Sequence, residues 1–322
     1  MTTTHEPKLS FADGDLMPAF GLGTWKSEPG DVGRAVTEAI RVGYRHFDCS
    51  PVYGNETEVG AAFAACFETA VVARDDIWIT SKLWNDAHAP ADVIPALERT
   101  LADLGLEWLD LYLVHWPIAQ RASVGIPASG SDLRPIEDVP IAATWERLEE
   151  AVDRGFVRHI GVSNFSLPKV RALVDHARRP PEMNQVELHP YLQQKDLVAS
   201  CQALGVHVTA YSPLGSRDRP ERLKAADEPV LLEDGRIRDV ADELGATPAQ
   251  LLIAWALHRG CAVIPKSVDS GRIAENFAAR ELVLDPGVME RLAGLDRHRR
   301  YISGEFWAMD GSPYTVEWLW DE

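Results

Sequence analysis

Residues 20–48 read FGLGTWKSEPGDVGRAVTEAIRVGYRHFD and hold one complete strand–helix–strand step. Residues 20–25 are a short apolar run. Asp31–Val42 follows, with Val32, Ala35, Val36, Ala39 and Ile40 spaced to share one helical face, and Gly43 stands where a helix end needs left-handed backbone. Residues 44–47 form the next apolar run, which ends on Asp48. Runs that are apolar on successive residues suit parallel strands covered on both faces.

The step repeats. Further runs at 77–80, 111–114, 157–162, 183–187, 206–210 and 262–265 bring the strand candidates to eight, with segments of helical period between them. Thr247-Pro248-Ala249-Gln250 has the form of a capping box with proline in the first turn and opens a helix over 251–258. Ser166 is placed to cap a helix over 167–177. Eight alternating units predict an α/β fold, a single (β/α)8 TIM barrel domain over residues 8–322. Residues 1–7 are polar and expected to be disordered. Leu9, Phe11, the turn at Asp13-Gly14 and Leu16 predict an N-terminal β-hairpin. The long segments 118–141 and 212–234 both follow strands and are expected over the C-terminal mouth. The aromatic-rich tail 300–322 is expected there too, as a lid.

Composition narrows the function. Apolar residues at 46% and charged residues at 25% fit a folded chain with a sizeable core. A net charge of −17, from 32 basic and 49 acidic residues, argues against nucleic acid and anionic membranes as partners, though not against a small anion held by a few cations. Cys49, Cys66, Cys201 and Cys261 are scattered, which predicts a reduced, cytoplasmic protein without disulfides. No signal peptide and no membrane span are expected.

What ends each apolar run carries the chemistry. The second ends in Asp48, the third is followed by Lys82 and the fourth by His115; Ser163-Asn164, Tyr211 and Lys266 follow the fifth, seventh and eighth, and Gln185 lies within the sixth. A barrel gathers these ends around one pocket. A lone polar residue after a strand is ordinary turn chemistry. Asp, Lys and His at three successive ends, with Tyr53 just beyond the first, are not. A tyrosine is a poor acid at neutral pH, and an ammonium beside it is expected to lower its pKa. Lys82 can serve so, with Asp48 holding it charged and His115 fixing the approach of a carbonyl. The set is a proton donor for an oxygen that becomes an alkoxide, and it requires a hydride source.

At these residues the chain resembles the aldo-keto reductases over nearly its whole length. The matching stretches include Gly21-Leu-Gly-Thr-Trp25, Gly43-Tyr-Arg-His-Phe-Asp48, Tyr53-Gly-Asn-Glu56, Ser81-Lys-Leu-Trp84, Asp110-Leu-Tyr-Leu-Val-His-Trp-Pro117, Gly161-Val-Ser-Asn-Phe165, Tyr211-Ser-Pro-Leu-Gly215, Ile264-Pro-Lys-Ser267 and Arg272-Ile-Ala-Glu-Asn276. The run 230–234 looks most like the aldehyde reductase branch. The resemblance implies NADPH-dependent aldehyde reduction, aldoses and ketones also being candidate substrates. It places a catalytic tetrad on Asp48, Tyr53, Lys82 and His115. It implies cofactor contacts at Thr24 and Trp25, at Ser163, Asn164 and Gln185 for the carboxamide, and at Tyr211 for the nicotinamide ring. Ser212, Leu214 and Ser216 would line the pyrophosphate. Lys266, Ser267 and Arg272 would take the 2′-phosphate, and Glu275 and Asn276 the adenine end. A dianionic phosphate suits a guanidinium beside an ammonium. Trp25, Trp84 and Trp116 match pocket-lining positions, and a monomer is implied.

Other readings are weaker. Gly21-Leu-Gly-Thr-Trp-Lys26 begins like a dinucleotide-binding glycine loop but lacks the third glycine. Tyr191 and Lys195 have the Tyr-x-x-x-Lys spacing of short-chain dehydrogenases without that family's glycine-rich turn. Glu187 and His189 lack a third ligand, and no metal is expected. Two different classes compete with the reductase: a cofactor-binding regulatory barrel without turnover, which has no need of the whole tetrad, and a Schiff-base aldolase on Lys82, which leaves Tyr53 unexplained.

Overall fold

The computed structural model of the protein describes residues 7–225 and 228–322. Eight strands form one parallel sheet: β1 (Leu22–Gly23), β2 (His46–Asp48), β3 (Trp78–Leu83), β4 (Leu109–Val114), β5 (Val157–Ser163), β6 (Met183–Glu187), β7 (His207–Tyr211) and β8 (Ala262–Val263). Each pairs with its successor in the chain. A parallel bridge between Phe20 and Val263 joins the last strand to the approach to the first, with Gly21 N–H donating to Val263 O at 2.9 Å and Val263 N–H to Ala19 O at 2.7 Å. The fold is therefore the (β/α)8 barrel. The Gly21-x-Gly23 pair is explained by this seam. A Cβ on Gly21 would stand 2.7 Å from the His46 ring, and one on Gly23 would stand 2.9 Å from Ile264 O.

Alternation along the strands divides the core. Leu111 and Leu113 point into the barrel, while Tyr112 and Val114 pack outward under the helices. The antiparallel hairpin Lys8–Ser10/Leu16–Pro18 closes the floor, burying Phe11 and Met17 against Trp78, Leu111, Leu113 and Met183. Pro7, counted with the disordered terminus in the sequence reading, accepts the Ala19 N–H at 2.8 Å; residues 1–6 lie outside the described residues. Around the mouth a separate cluster joins Trp84, Trp116, Ile118, Leu133, Ile302, Trp307, Tyr314, Leu319 and Trp320.

Local signals mostly act as read. Asp31–Val42 is helical and ends on Gly43 at φ 119°, and Thr247 and Gln250 form their reciprocal cap at the start of Pro248–His258. Ser166 departs from expectation. It sits at the N-cap of Leu167–His176, but its side chain makes no cap bond and donates instead to Asp321 of the tail. Lys169 Nζ reaches the same carboxylate at 2.6 Å, and that competing anion explains the turned hydroxyl. β3 runs three residues past its expected end, which puts Lys82 inside a strand. Among the described residues, no helix is long and apolar enough to cross a membrane.

On β5, buried His159 fastens the hairpin to the barrel floor. Its ring stacks on Trp78 at 5.3 Å; Nδ1 lies 3.0 Å from Glu182 Oε2, Nε2 lies 3.2 Å from Asp15 Oδ2, and Asp13 is 3.7 Å away. Arg158 also approaches Asp15, at 3.7 Å. Burial works to lower the imidazole pKa, but the carboxylates outweigh it and hold it above its usual value. A raised folded-state pKa contributes stability that is whole below the unfolded value of about 6.5 and is lost as pH rises through the folded one. His159→Gln should therefore cost about 2 kcal/mol at pH 6 and clearly less at pH 9. Urea unfolding at the two pH values checks this, and equal losses would sink it.

Candidate active site

Three adjacent strands deliver the central residues. Asp48 closes β2, Lys82 lies near the end of β3, and His115 directly follows β4, its N–H donating to Leu83 O at 3.1 Å. The chain after Asp48 makes a short helical turn, Pro51–Tyr53, with proline at its start and Gly54 at φ 69° behind it. That turn brings the phenol back over Lys82. Thr24 braces the strand end, its hydroxyl donating to Asp48 O at 2.8 Å while its own carbonyl accepts from Asn55 at 2.9 Å.

Every proton of the Lys82 ammonium is used. Nζ donates to Asp48 Oδ1 at 2.5 Å, to Cys49 O at 3.0 Å and to Tyr53 OH at 3.2 Å. The other Asp48 oxygen accepts from Gln185 Nε2 at 2.6 Å. Burial works against the charge on Lys82, but Asp48 and Tyr53 outweigh it and hold its pKa above the ordinary lysine value. Burial is also the main influence on Tyr53. It drives the phenol up to about 12, against the opposing pull of Lys82. The sequence reading expected a net lowering of this pKa. Asp48 opposes that lowering, and desolvation exceeds the pull of the ammonium that remains. His115 is held well below the usual histidine range by burial, with Lys82 and His88 adding to the effect, so its ring is neutral.

These groups open into a cavity of about 1170 Å³. Thr24, Trp25, Asp48, Tyr53, Trp84, His115, Trp116, Ser163, Asn164, Gln185, Tyr211, Ser212, Leu214, Ser216, Lys266, Ser267 and Arg272 all line it. Asn164 ties the wall together, donating to His115 O at 2.9 Å and accepting from Tyr211 OH at 2.7 Å. Glu275 and Asn276 are not among the lining residues. Glu275 accepts from Thr247 at 2.8 Å and Asn276 is buried, so both brace the helix that carries Arg272. Four lining residues other than glycine, Lys26, Asn164, Ser212 and Ser216, have positive φ. Such backbone outliers collect at working sites.

Residues to which the sequence assigns no site role complete and support the walls. Lys26 Nζ donates to Ser216 Oγ at 2.7 Å and pairs with Asp218, whose other oxygen takes Lys266 at 3.2 Å. Asp218 thus straps the loop after β7 across the ends of β1 and β8. Lys26 directly follows the first apolar run, so the strand-end rule that found Lys82 could have found it. Asp218 had no such signal. The tail also joins the wall: Glu187, at the end of β6, accepts the N–H groups of Tyr301 and Ile302 at 2.6 and 2.7 Å and pairs with His189 at 2.8 Å. Tyr314 OH donates to Arg134 O at 2.6 Å and accepts from Ala119 N–H at 3.0 Å, holding the tail to the loop after β4.

The family model for aldo/keto reductases matches residues 18–297. The chain is 53% identical over 311 residues to aldo/keto reductase slr0942 of Synechocystis, covering 97% of this chain and 95% of that one. It is 46% identical to rat aldo-keto reductase family 1 member A1 and 45% identical to the human protein of that name, each over 291 residues, 90% of this chain and 89% of theirs. The chain belongs to the aldo/keto reductase family. It is thus an oxidoreductase of a family that uses nicotinamide cofactors on carbonyl compounds.

The remaining alternatives meet this geometry poorly. A Schiff-base lysine must present a neutral amine, whereas Lys82 is fully buried and held charged by Asp48. Tyr191 and Lys195 lie outside the cavity, and Tyr191 OH is taken by Asp234 at 2.5 Å. Because Lys82 is fully buried, Asp48→Asn should cost about 3 kcal/mol of stability, read by denaturant unfolding. A loss within 0.5 kcal/mol, about the scale of a surface change, would contradict the pairing.

Proposed function

We propose that this aldo/keto reductase is an NADPH-dependent aldehyde reductase with Tyr53 as its proton donor. The observation that carries the reading is the meeting, at one cavity wall, of a protonated phenol, a neutral imidazole and a charged ammonium 3.2 Å from the phenol oxygen. The identity to family 1 member A1 proteins supports the aldehyde reductase type.

The cavity residues fit the cofactor. Ser163, Asn164 and Gln185 offer hydroxyl and amide groups for a carboxamide, and Tyr211 lines the same cavity with its aromatic ring. Ser212 and Ser216, with Lys26 donating to Ser216 Oγ at 2.7 Å, are suited to a pyrophosphate, and Lys266 and Ser267 share the cavity wall with Arg272. The Arg272 guanidinium has no partner among the described residues, while its own N–H is fixed by Asp269 at 2.8 Å. Arg272 is therefore available to a 2′-phosphate. Bound here, NADPH supplies the hydride. The protein supplies position and proton. His115 and Tyr53 converge on the place for a carbonyl oxygen and orient it. As negative charge grows on that oxygen, the Tyr53 proton moves to it, because an alkoxide is a stronger base than a phenolate. Lys82 then steadies the phenolate, and Asp48 keeps Lys82 from shifting. Trp25, Trp84, Trp116, Ile302, Phe306 and Trp307 line the rest of the pocket, which favours aldehydes with apolar or aromatic bodies.

Tyr53→Phe should lower kcat by at least about 100-fold with NADPH affinity unchanged, read by loss of the reduced nicotinamide absorbance and by fluorescence titration. Retained turnover would refute the assignment. Arg272→Met should weaken NADPH binding by about ten- to a hundredfold and leave NADH binding nearly as it was. Equal effects on both would remove Arg272 from the phosphate site.

A further inference from the structure

The ring of His115 has one hydrogen-bond partner among the described residues. Ser50 Oγ stands 3.1 Å from its Nδ1. Ser50 is fully buried, and among the described residues its hydroxyl in turn meets no side-chain or backbone partner but this nitrogen. Nε2 is not among the sealed, unpartnered atoms of the interior, and the ring borders the cavity, so Nε2 is the nitrogen that opens on the substrate space. The backbone of His115 is fixed at both ends of its peptide, by Leu83 O and by Asn164. Trp84 and Tyr53 bracket the ring edge-to-face at 5.0 and 6.0 Å.

A neutral imidazole carries one proton, and two arrangements are open to this pair. If Nδ1 held the proton and donated to Ser50, the serine hydroxyl proton would be buried with no acceptor. Nε2 would then turn a lone pair toward the lone pairs of a carbonyl oxygen. If Ser50 donates to Nδ1, the hydroxyl is satisfied and the ring proton sits on Nε2, facing the cavity as a donor. The second leaves no buried donor stranded, and a stranded one costs about 1–3 kcal/mol. We propose that Ser50 is a positioning residue that fixes His115 in the Nε2–H tautomer, so that the imidazole enters the cavity as a hydrogen-bond donor. The inference rests on the reading of His115 as a group that orients the carbonyl. Ser50 lies in the same turn as Tyr53, whose N–H donates to Ser50 O at 3.0 Å. One short turn therefore sets the proton donor with its backbone and the orienting imidazole with its side chain.

The test uses full-length protein with 15N-labelled histidine and long-range proton–nitrogen spectra at neutral pH. The His115 signals are identified by their absence from His115→Gln. The expected result is a pyridine-type Nδ1 and a pyrrole-type Nε2 in the unsubstituted protein. Ser50→Ala should mix the tautomers and lower kcat about tenfold with NADPH affinity unchanged, the effect of one lost hydrogen bond. Ser50→Thr, which keeps the hydroxyl, should restore the spectrum and most of the rate. A pyrrole-type Nδ1 in the unsubstituted protein overturns the inference. So does a folded Ser50→Ala protein with unaltered His115 signals or unaltered turnover. The spectra decide the tautomer whatever Tyr53→Phe does to turnover, so failure of the reductase reading and failure of this inference are told apart.

Discussion

The ion pair between Lys82 and Asp48 constrains everything around it. Both side chains are buried, and a charge taken out of water is costly unless it is paired and every proton and lone pair is met. Meeting them draws on two segments remote from Lys82 in sequence: one supplies Asp48 on β2, the Cys49 carbonyl and the Tyr53 phenol, and the other, behind Asp48, supplies Gln185 on β6. The β2–β3 register, which sets Asp48 opposite Thr80, leaves Lys82 two residues further on along its strand, and its long side chain reaches back to the carboxylate. A slip of one residue would turn the ammonium into the helical layer. Such a pair adds little net stability over apolar packing. Its retention in a barrel that could be filled with leucine is a mark of function.

Holding that pair in place is the work of both ends of the barrel. Below, the hairpin plugs the floor with Phe11 and Met17 and is clamped by His159. Above, the loop after β4 and the tail are stitched to each other and to strand ends through Tyr314 and Glu187. Glu187 illustrates the economy of a strand end: one buried carboxylate receives two tail amides and an imidazole and so shapes the pocket without touching its contents. The Asp218 strap does the same on the opposite side with two lysines.

Much of this was legible in the sequence because the barrel writes itself as a period. Apolar runs on successive residues, Gly43 behind an amphipathic helix and the Thr247–Gln250 cap are local signals, and local physics decides them. Asp48, Tyr53, Lys82 and His115 were visible because a barrel turns strand order into proximity. What escaped depended on contacts between segments far apart. Nothing near Ser166 reveals that Asp321 will claim its hydroxyl. Nothing near Asp218 names Lys26 and Lys266 as its partners, nearly 200 and nearly 50 residues away. The direction of the Tyr53 shift departs from the expectation for a related reason. The sequence exposes the neighbouring charge and not the depth of burial that outweighs it.

That depth explains how one wall can hold two donors beside a cation. Desolvation raises the pKa of a phenol and lowers that of an imidazole, since in each case it disfavours the charged form. Tyr53 and His115 are pushed in opposite directions on the pH scale and reach the same condition, neutral and carrying a proton. Lys82 stays charged because Asp48 is buried with it as its ion-pair partner. The ammonium thereby stays behind the wall, its charge met by Asp48 at the cavity edge, while Tyr53 and His115 face the cavity as neutral groups. A carbonyl can approach such a face without meeting a bare ion. Under the proposed reaction, the stabilising charge lies one hydrogen bond further back, where it would act once the phenol gives up its proton.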